Sequence, residues 1–479
     1  MEYKDTYFLS SVEALKVSLE KNKILAPNQQ IESIQICYYD GELLKNAPEN
    51  CINVPFINFV EYFSKTKYRI PFSIDNLSDD KVAILFDEKI EIVKKEINKK
   101  IITLEEKIHK LEPSIGNKTL KIFAFGCRET ILIKGFVKNI LDAANALGYS
   151  VYLHTQINEM ESCCKTHYLE SLYNYNPDIT ININHLNNKF LPEHIYNFIW
   201  FQDSNSIFQN LRKKDLRKKD FIFTLVDGFK EVLKKKGIYS INQPFCINKD
   251  IFKKRTYIQK EKKIVFIGSS YSHRIKEIKN DENFKIIYED VLKQFEKKSC
   301  LRDLKHSDSE IKYFMDKYNK SKYYIGDIYA YLLRDYCIEK LCTIKTGYEV
   351  EVYGYGFENN SIIKPYYKGV VTNPIELSKI YNSATYGFCV GGYVLMQRTL
   401  ECAFSETIPL VLDVRASKQD QYDSSIEKSI KFFNIKNLEN SLNEELSKNN
   451  DYNYIQESYG YKSFMQKCID IVKKENNEK

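Results

Sequence analysis

The chain has 479 residues, too many for one typical core, and its 36 Tyr and 28 Phe argue against global disorder, so two or three folded domains are expected. Its 71 basic and 64 acidic residues leave a formal charge of +7, a thin excess that suits the handling of small anions and is not by itself the mark of nucleic-acid binding. Twelve Cys without a CxxC and seven His without an HExxH make a zinc or catalytic metal site unexpected, and the absence of any long apolar run predicts a cytoplasmic chain with reduced thiols and no membrane span.

Residues 1–85 read as a small mixed segment, with strands at Ile31–Tyr38 and Val82–Phe86 and a helix at Ser11–Glu20. A helix follows over Asp87–Leu111. Its Ile90, Val93, Ile97, Ile101, Leu104 and Ile108 form a stripe that fits either a short coiled-coil seam or a spacer helix docked on a neighbouring domain. Pro113–Gly116 marks a boundary. This gives an accessory region with a linker helix over 1–118, expected to recognise a ligand of the neighbouring domain or to join subunits into a homo-oligomer.

A βαβ pattern opens at Lys121. Ile122–Phe125 is a short buried-type strand, and Phe136, Ile140, Ala143 and Leu147 fall at helical spacing. Strands are then predicted at Val151–His154, Asp178–Ile183, Phe198–Phe201, Phe221–Val226 and Ile238–Ser240, which implies a parallel sheet over 119–255. Ligands of such sheets lie beyond the carboxyl ends of the strands. That rule makes Cys127 and Arg128, after the first strand, and Asp203, after the strand carrying the only tryptophan, the candidate ligand-binding residues of this unit. A tandem LRKKD, Leu211–Asp215 and Leu216–Asp220, raises nucleic-acid binding, but its aspartates dilute the charge and a solvated helix face is the preferred reading.

A polar stretch over Lys253–Lys263 reads as a linker to a second α/β unit, 256–479. Ile264–Ile267 is a strand that ends in Gly268-Ser269-Ser270-Tyr271-Ser272-His273-Arg274. After helices over 280–345, Glu349–Tyr353 is a strand into Gly354-Tyr355-Gly356, followed by Gly369, by a helix opened by Asn373-Pro374, and by a strand over Tyr386–Val390. That strand delivers the chain to Gly391-Gly392 and an amphipathic run in which Met396, Leu400, Ala403 and Thr407 face inward while Arg398 and Glu401 share another face. A glycine turn at a helix N-terminus suits an anion, and Arg398 adds a forked donor for phosphate. A strand at Leu410–Val414 and a helix over Ile455–Lys474 complete the chain.

The order of VFIGSSYSHR, EVEVYGYGF with YKGVV, and RTLECAFSETIPLVLD resembles the C-terminal half of GT-B glycosyltransferases, in particular the CgeB-like group among the glycosyl transferase family 1/4 relatives. The resemblance implies an α/β protein of two Rossmann-like domains facing across a cleft, active in bacterial glycan biosynthesis. The nucleotide-sugar donor would sit in the C-terminal domain, and the acceptor, a surface glycan, a lipid-linked carrier or a protein such as flagellin, in the N-terminal one. It implies that Glu401 holds ribose hydroxyls and Arg398 the diphosphate, that Gly268, Ser269, Tyr271 and Arg274 line the diphosphate and sugar, and that Tyr353, Gly354 and Gly369 flank the base, with Gly391 and Gly392 completing the donor site. No metal or other cofactor is expected. Arg398 and Asp203 are the catalytic candidates, Asp203 as base if the reaction inverts. The position eight residues before Glu401, a Glu in the usual retaining pattern, is Tyr393 here, which leaves the stereochemical outcome open and keeps alive a non-catalytic nucleotide- or sugar-binding scaffold.

Overall fold

The computed structural model describes residues 5–9, 34–38, 51–55, 74–75, 80–112, 119–126, 131–155, 165–297, 307–415, 424–443 and 452–477. The chain divides into two compact units, Met1–Ile222 and Phe223–Lys479.

The first unit opens with β1 (Asp5–Leu9), β2 (Ile34–Tyr38), β3 (Cys51–Pro55) and β4 (Ile74–Asp75), a parallel sheet in the order β3-β2-β1-β4. Next comes α1 (Asp80–His109). The strand expected at Val82–Phe86 is the first part of this helix. A five-residue apolar run does not distinguish the two states, and here the helical stripe downstream extends back through it. The Ser11–Glu20 helix and the Pro113–Gly116 boundary lie outside the described residues. Leu104 and Ile108 of α1 are buried in one cluster with residues of α3 (Thr166–Tyr175), the helix that follows α2 (Ile131–Ala146) in the chain. The C-terminal half of the stripe is thus docked within the chain, as a spacer helix requires.

The remaining strands of the first α/β sheet are β5 (Lys121–Gly126), β6 (Ser150–Thr155), β7 (Ile179–Ile183), β8 (Tyr196–Phe201), β9 (Asp220–Thr224) and β10 (Ile241–Asn242), in the order β10-β9-β8-β7-β5-β6. β7 and β8 are buried along their whole length, which is why they read as unbroken apolar-rich runs. β10 lies just beyond the strand expected at Ile238–Ser240. Gly237, at φ +69, ends the preceding helix α4 (Asp227–Lys235), and the chain needs Ile238–Ser240 to return to the sheet.

The second sheet contains β11 (Glu261–Ile267), β12 (Glu349–Tyr353), β13 (Tyr367–Gly369), β14 (Ala384–Cys389), β15 (Ile408–Leu412) and β16 (Lys431–Phe433). Its order is β13-β12-β11-β14-β15-β16 and every pairing is parallel. Counted within the sheet this is 3-2-1-4-5-6, the doubly wound Rossmann order. The first sheet, counted the same way, is 2-1-3-4-5-6, which reverses direction between its first and third strands. The protein is therefore α/β, with two Rossmann-like parallel sheets.

Between β11 and β12 the chain inserts α5 (Phe284–Lys297), α6 (Ser307–Tyr318), α7 (Lys322–Tyr331) and α8 (Cys337–Thr343), with a π-helical turn, Leu332–Tyr336, joining the last two. α9 (Pro374–Ser383) is capped by the Asn373 side chain, which accepts from the Ile375 N–H at 2.8 Å, and has Pro at its first position. α10 (Gln397–Phe404) buries Leu400, Ala403 and Phe404. It lies so close to β14 that a Cβ on Gly387 would stand 2.0 Å from Cys402 Sγ. The single C-terminal helix expected over Ile455–Lys474 is instead two, α12 (Tyr452–Ser458) and α13 (Tyr461–Asn477), after the short α11 (Leu438–Asn443). The break at Gly460 frees the Tyr459 carbonyl to accept from the Ile247 N–H at 2.9 Å.

Candidate functional site

In a doubly wound sheet the ligand crevice opens where strand order reverses, here between the carboxyl ends of β11 and β14. Two glycine-limited turns shape the β11 side. Gly268 N–H donates to the Tyr353 carbonyl at 2.9 Å and Ser270 N–H to the Tyr355 carbonyl at 2.8 Å. A Cβ on Gly354 would lie 1.9 Å from the Gly268 carbonyl oxygen, and Gly354 sits at φ +134. Gly354 is thus required by the approach of one turn to the other. On the β14 side, a Cβ on Gly391 would meet Met396 Sδ at 2.4 Å, whereas Gly392 has open space around it. Gly369, at φ +98, accepts from Gly354 N–H at 2.9 Å through its carbonyl, and the Tyr353 hydroxyl is committed to Glu351 at 2.7 Å.

Arg398 and Glu401 are joined as their spacing suggests. Arg398 Nη1 donates to Glu401 Oε2 at 2.5 Å, and Gln397 Nε2 donates to Oε1 at 2.7 Å. Glu401 is only 2% exposed, so both its oxygens are taken up by its own helix, while the Arg398 side chain keeps 31% of its surface. Burial works against the Arg398 charge, but the Glu401 carboxylate outweighs it and holds the guanidinium proton above its ordinary range. The first intrahelical bond of α10 runs from Leu400 N–H to the Met396 carbonyl.

The structure adds two residues that the sequence did not single out. The π-helical turn presents Arg334 and Asp335 to the β11 turn. Asp335 is 1% exposed and accepts from the Ser270 hydroxyl at 2.5 Å and from the Tyr271 N–H at 2.8 Å. Burial raises its pKa, opposed by those two donors and by Arg334. Arg334 Cζ stands over the Tyr271 ring, 3.8 Å from its centroid, and Nη1 donates to the Ser269 carbonyl at 3.1 Å. Arg274 stands 4.9 Å from the same ring and 3.4 Å from Asp327. Burial lowers the pKa of Arg334; Tyr271 and Asp335 oppose this, and the charges of Arg398 and Arg274 reinforce it. Arg274 and Arg334 thus share the Tyr271 ring beside the β11 turn, and the charge of Arg398 is felt at Arg334. An adjacent Arg–Asp in a Tyr-rich helical stretch is the only sign in the sequence, and nothing in it marks a π turn.

The reversal in the first sheet lies between β5 and β7. Cys127 and Arg128, which follow β5, lie outside the described residues. Asp203, after β8, is exposed, and its Oδ2 accepts from Asn184 Nδ2 at 2.9 Å. Asn184 Oδ1 in turn accepts from the backbone N–H groups of Gln202 and Asp203, at 2.8 and 3.1 Å, with its own backbone left-handed at φ +59. Asn184 therefore fixes the carboxylate's direction from the end of the neighbouring strand. Gln202 Nε2 is buried without a hydrogen-bond partner.

The LRKKD copies are tight turns, not a helix face, because each Arg clasps the Asp three residues on. Arg212 meets Asp215 at 3.0 Å on the surface. Arg217 meets Asp220 at 3.1 Å and also donates to the carbonyls of Leu191, Pro192 and Ile195 at 2.6–2.9 Å. Lys219 donates to the His194 carbonyl at 2.9 Å. Arg217 and Lys219 are thus taken up by backbone carbonyls, while Arg212, Lys213, Lys214 and Lys218 are exposed. Among the described residues no helix is long and apolar enough to cross a membrane.

No family model and no curated protein matches this chain. Among solved structures it is similar to a glycosyltransferase from Rickettsia africae ESF-5, with 8% identity over 74% of this chain and 98% of that one and a TM-score of 0.44. It is also similar to TarM, with 13% identity over 61% of this chain and 54% of that one and a TM-score of 0.32.

Proposed function

We propose that the chain is a nucleotide-sugar-dependent glycosyltransferase of GT-B type, acting in the cytoplasm on a glycan, lipid-linked or protein acceptor. The observation that carries the reading is the arginine group at the switch point of the second sheet. Glycosyl transfer from a nucleotide-sugar leaves a diphosphate, and charge developing on it is stabilised by fixed cationic donors. In this reading Arg398 and Arg274 face the diphosphate, and the Gly268–Tyr271 turn lines it. Tyr353, Gly354, Gly369, Gly391 and Gly392 border the nucleotide. Guanidiniums supply the charge that a divalent metal provides elsewhere, so turnover persisting in EDTA is part of the proposal.

Asp203 is the proposed general base of an inverting reaction, with Asn184 orienting it. In a retaining reaction the departing diphosphate takes the acceptor proton and Asp203 is not needed. The filled carboxylate of Glu401 bears on its proposed ribose contact, since hydroxyls reach it only if Gln397 or Arg398 gives way. That feature, with Tyr393, favours the second reading, a nucleotide- or sugar-binding scaffold without turnover.

A screen with UDP, GDP, CMP and TDP sugars tests both. Ligand at about a hundred times its dissociation constant should add about 2.7 kcal/mol of stability. Stabilisation with slow donor hydrolysis supports the enzyme. Stabilisation with no hydrolysis of any donor supports the scaffold, and no stabilisation by any of them rejects both.

A further inference from the structure

The three guanidiniums at the second switch point differ in one respect. Arg274 has Asp327 and Arg398 has Glu401, whereas Arg334 forms no ion pair among the described residues. Its sequence neighbour Asp335 turns its oxygens to the Ser270 hydroxyl and the Tyr271 N–H. Arg334 Nη1 reaches only a neutral acceptor, the Ser269 carbonyl, and Nε is buried with no hydrogen-bond partner. Two further arginines press on it with like charge. A cation so placed is poorly compensated, and removing it from a protein of this shape relieves a cost.

The mounting is nevertheless well defined. The Tyr271 ring supports the guanidinium, whose Cζ is 3.8 Å from the ring centroid. Asp335 holds Tyr271 through its backbone, and the Ser270 hydroxyl, itself donating to Asp335, accepts from Ser272 N–H at 2.9 Å. A guanidinium stacked on an aromatic face keeps its N–H groups in one plane, the geometry of two-point phosphate recognition.

We infer that Arg334 is the residue that meets the ligand's phosphates, and that the bound anion is the counter-ion this guanidinium lacks in the unliganded chain. The inference rests on the nucleotide-sugar reading for the chemical class of the ligand. A small rotation over the Tyr271 ring brings Nε–H to an incoming oxygen. Arg334 adds this contact to those proposed for Arg398 and Arg274, each of which already has a carboxylate partner.

The test is thermal unfolding of the full chain in magnesium-free buffer at constant ionic strength, with inorganic pyrophosphate as probe and sodium chloride as control. Wild type, Arg334→Met and Arg334→Lys are compared. The expected result has two parts. Pyrophosphate raises the wild-type Tm, and Arg334→Met binds it about 10- to 100-fold more weakly. Unliganded Arg334→Met is at least as stable as wild type, which a residue serving only to brace the Ser269 turn would not show. Arg334→Lys, with charge but no planar fork, falls between. Wild-type-like pyrophosphate binding by Arg334→Met overturns the inference. So does a destabilised Arg334→Met accompanied by an Arg334→Lys that binds as wild type does. No response from wild type removes the anion site altogether. Failure of every nucleotide-sugar to turn over, with the pyrophosphate result intact, removes only the transferase reading.

Discussion

At its switch point the second sheet gathers guanidiniums around a glycine-tight turn, whereas the first sheet ends β7 and β8 in amides and one carboxylate. Asn184, Gln202 and Asp203 can donate to and accept from neutral hydroxyls. Arg274, Arg334 and Arg398 favour an anion. Two sheets of related winding thus carry different chemistry at the carboxyl ends of their strands, neutral amides with one carboxylate in the first and guanidiniums in the second. Under the proposed function the contrast becomes a division of labour, with proton transfer at the first and leaving-group stabilisation at the second.

The largest effect that could break this division is at Asp203. Under the inverting mechanism, Asp203→Asn should lower transfer by about 10²–10⁴-fold and leave nucleotide binding unchanged, measured by turnover beside a thermal-shift titration. Equal loss of donor binding would show that the roles are not separated. Next is Arg398→Ala, expected to reduce turnover by about 10²–10³-fold. It also strands the buried Glu401 carboxylate, at a cost of about 3–5 kcal/mol by urea denaturation. Adding Glu401→Gln should recover most of that stability and none of the activity. If both return together, the pair is structural only.

Gly354→Ala should cost at least about 3 kcal/mol, since its Cβ would collide with the Gly268 carbonyl at a left-handed φ. Gly392→Ala, with nothing within 4 Å, should stay within about 1 kcal/mol. Equal costs would mean that the two turns are not in the close approach described. The smallest effect concerns pH. Burial raises the Asp335 pKa in the folded chain, so the stability this group contributes is full below the unfolded value near 4 and is lost as pH rises through the folded one. Asp335→Asn should therefore flatten the fall in urea midpoint between pH 4 and neutrality, and an unchanged slope would contradict the assignment.

Much of the second sheet was legible in the sequence. Apolar runs bounded by glycine give β11, β12 and β14, the Asn373-Pro374 pair gives the start of α9, and three-residue spacing gives the Arg398–Glu401 pair. What was not legible depends on distance or on exceptions to period. Arg334 meets Ser269 across 65 residues, and no pattern of side chains announces a π-helical turn. The apolar run at Val82–Phe86 fits strand or helix equally until its continuation is known. The LRKKD repeats have the composition of a solvated helix, yet each Arg reaches its own Asp more readily than it joins a helical face. The same five letters then meet different fates: Arg212 stays on the surface, and Arg217 secures three carbonyls of a buried loop.

The π-helical turn at Leu332–Tyr336 has a consequence for how this chain tolerates change in length. Such a turn houses one residue more than a regular helix would. Deleting a single residue there would let the α-helix run on unbroken with its two flanks near their present places, and the residues of the turn itself, Arg334 and Asp335 among them, would lose the positions that the extra residue gives them. The carboxylate that steadies the β11 turn would then face elsewhere even though every side chain it needs is still encoded, so this short segment should accept substitutions far more readily than a lost codon.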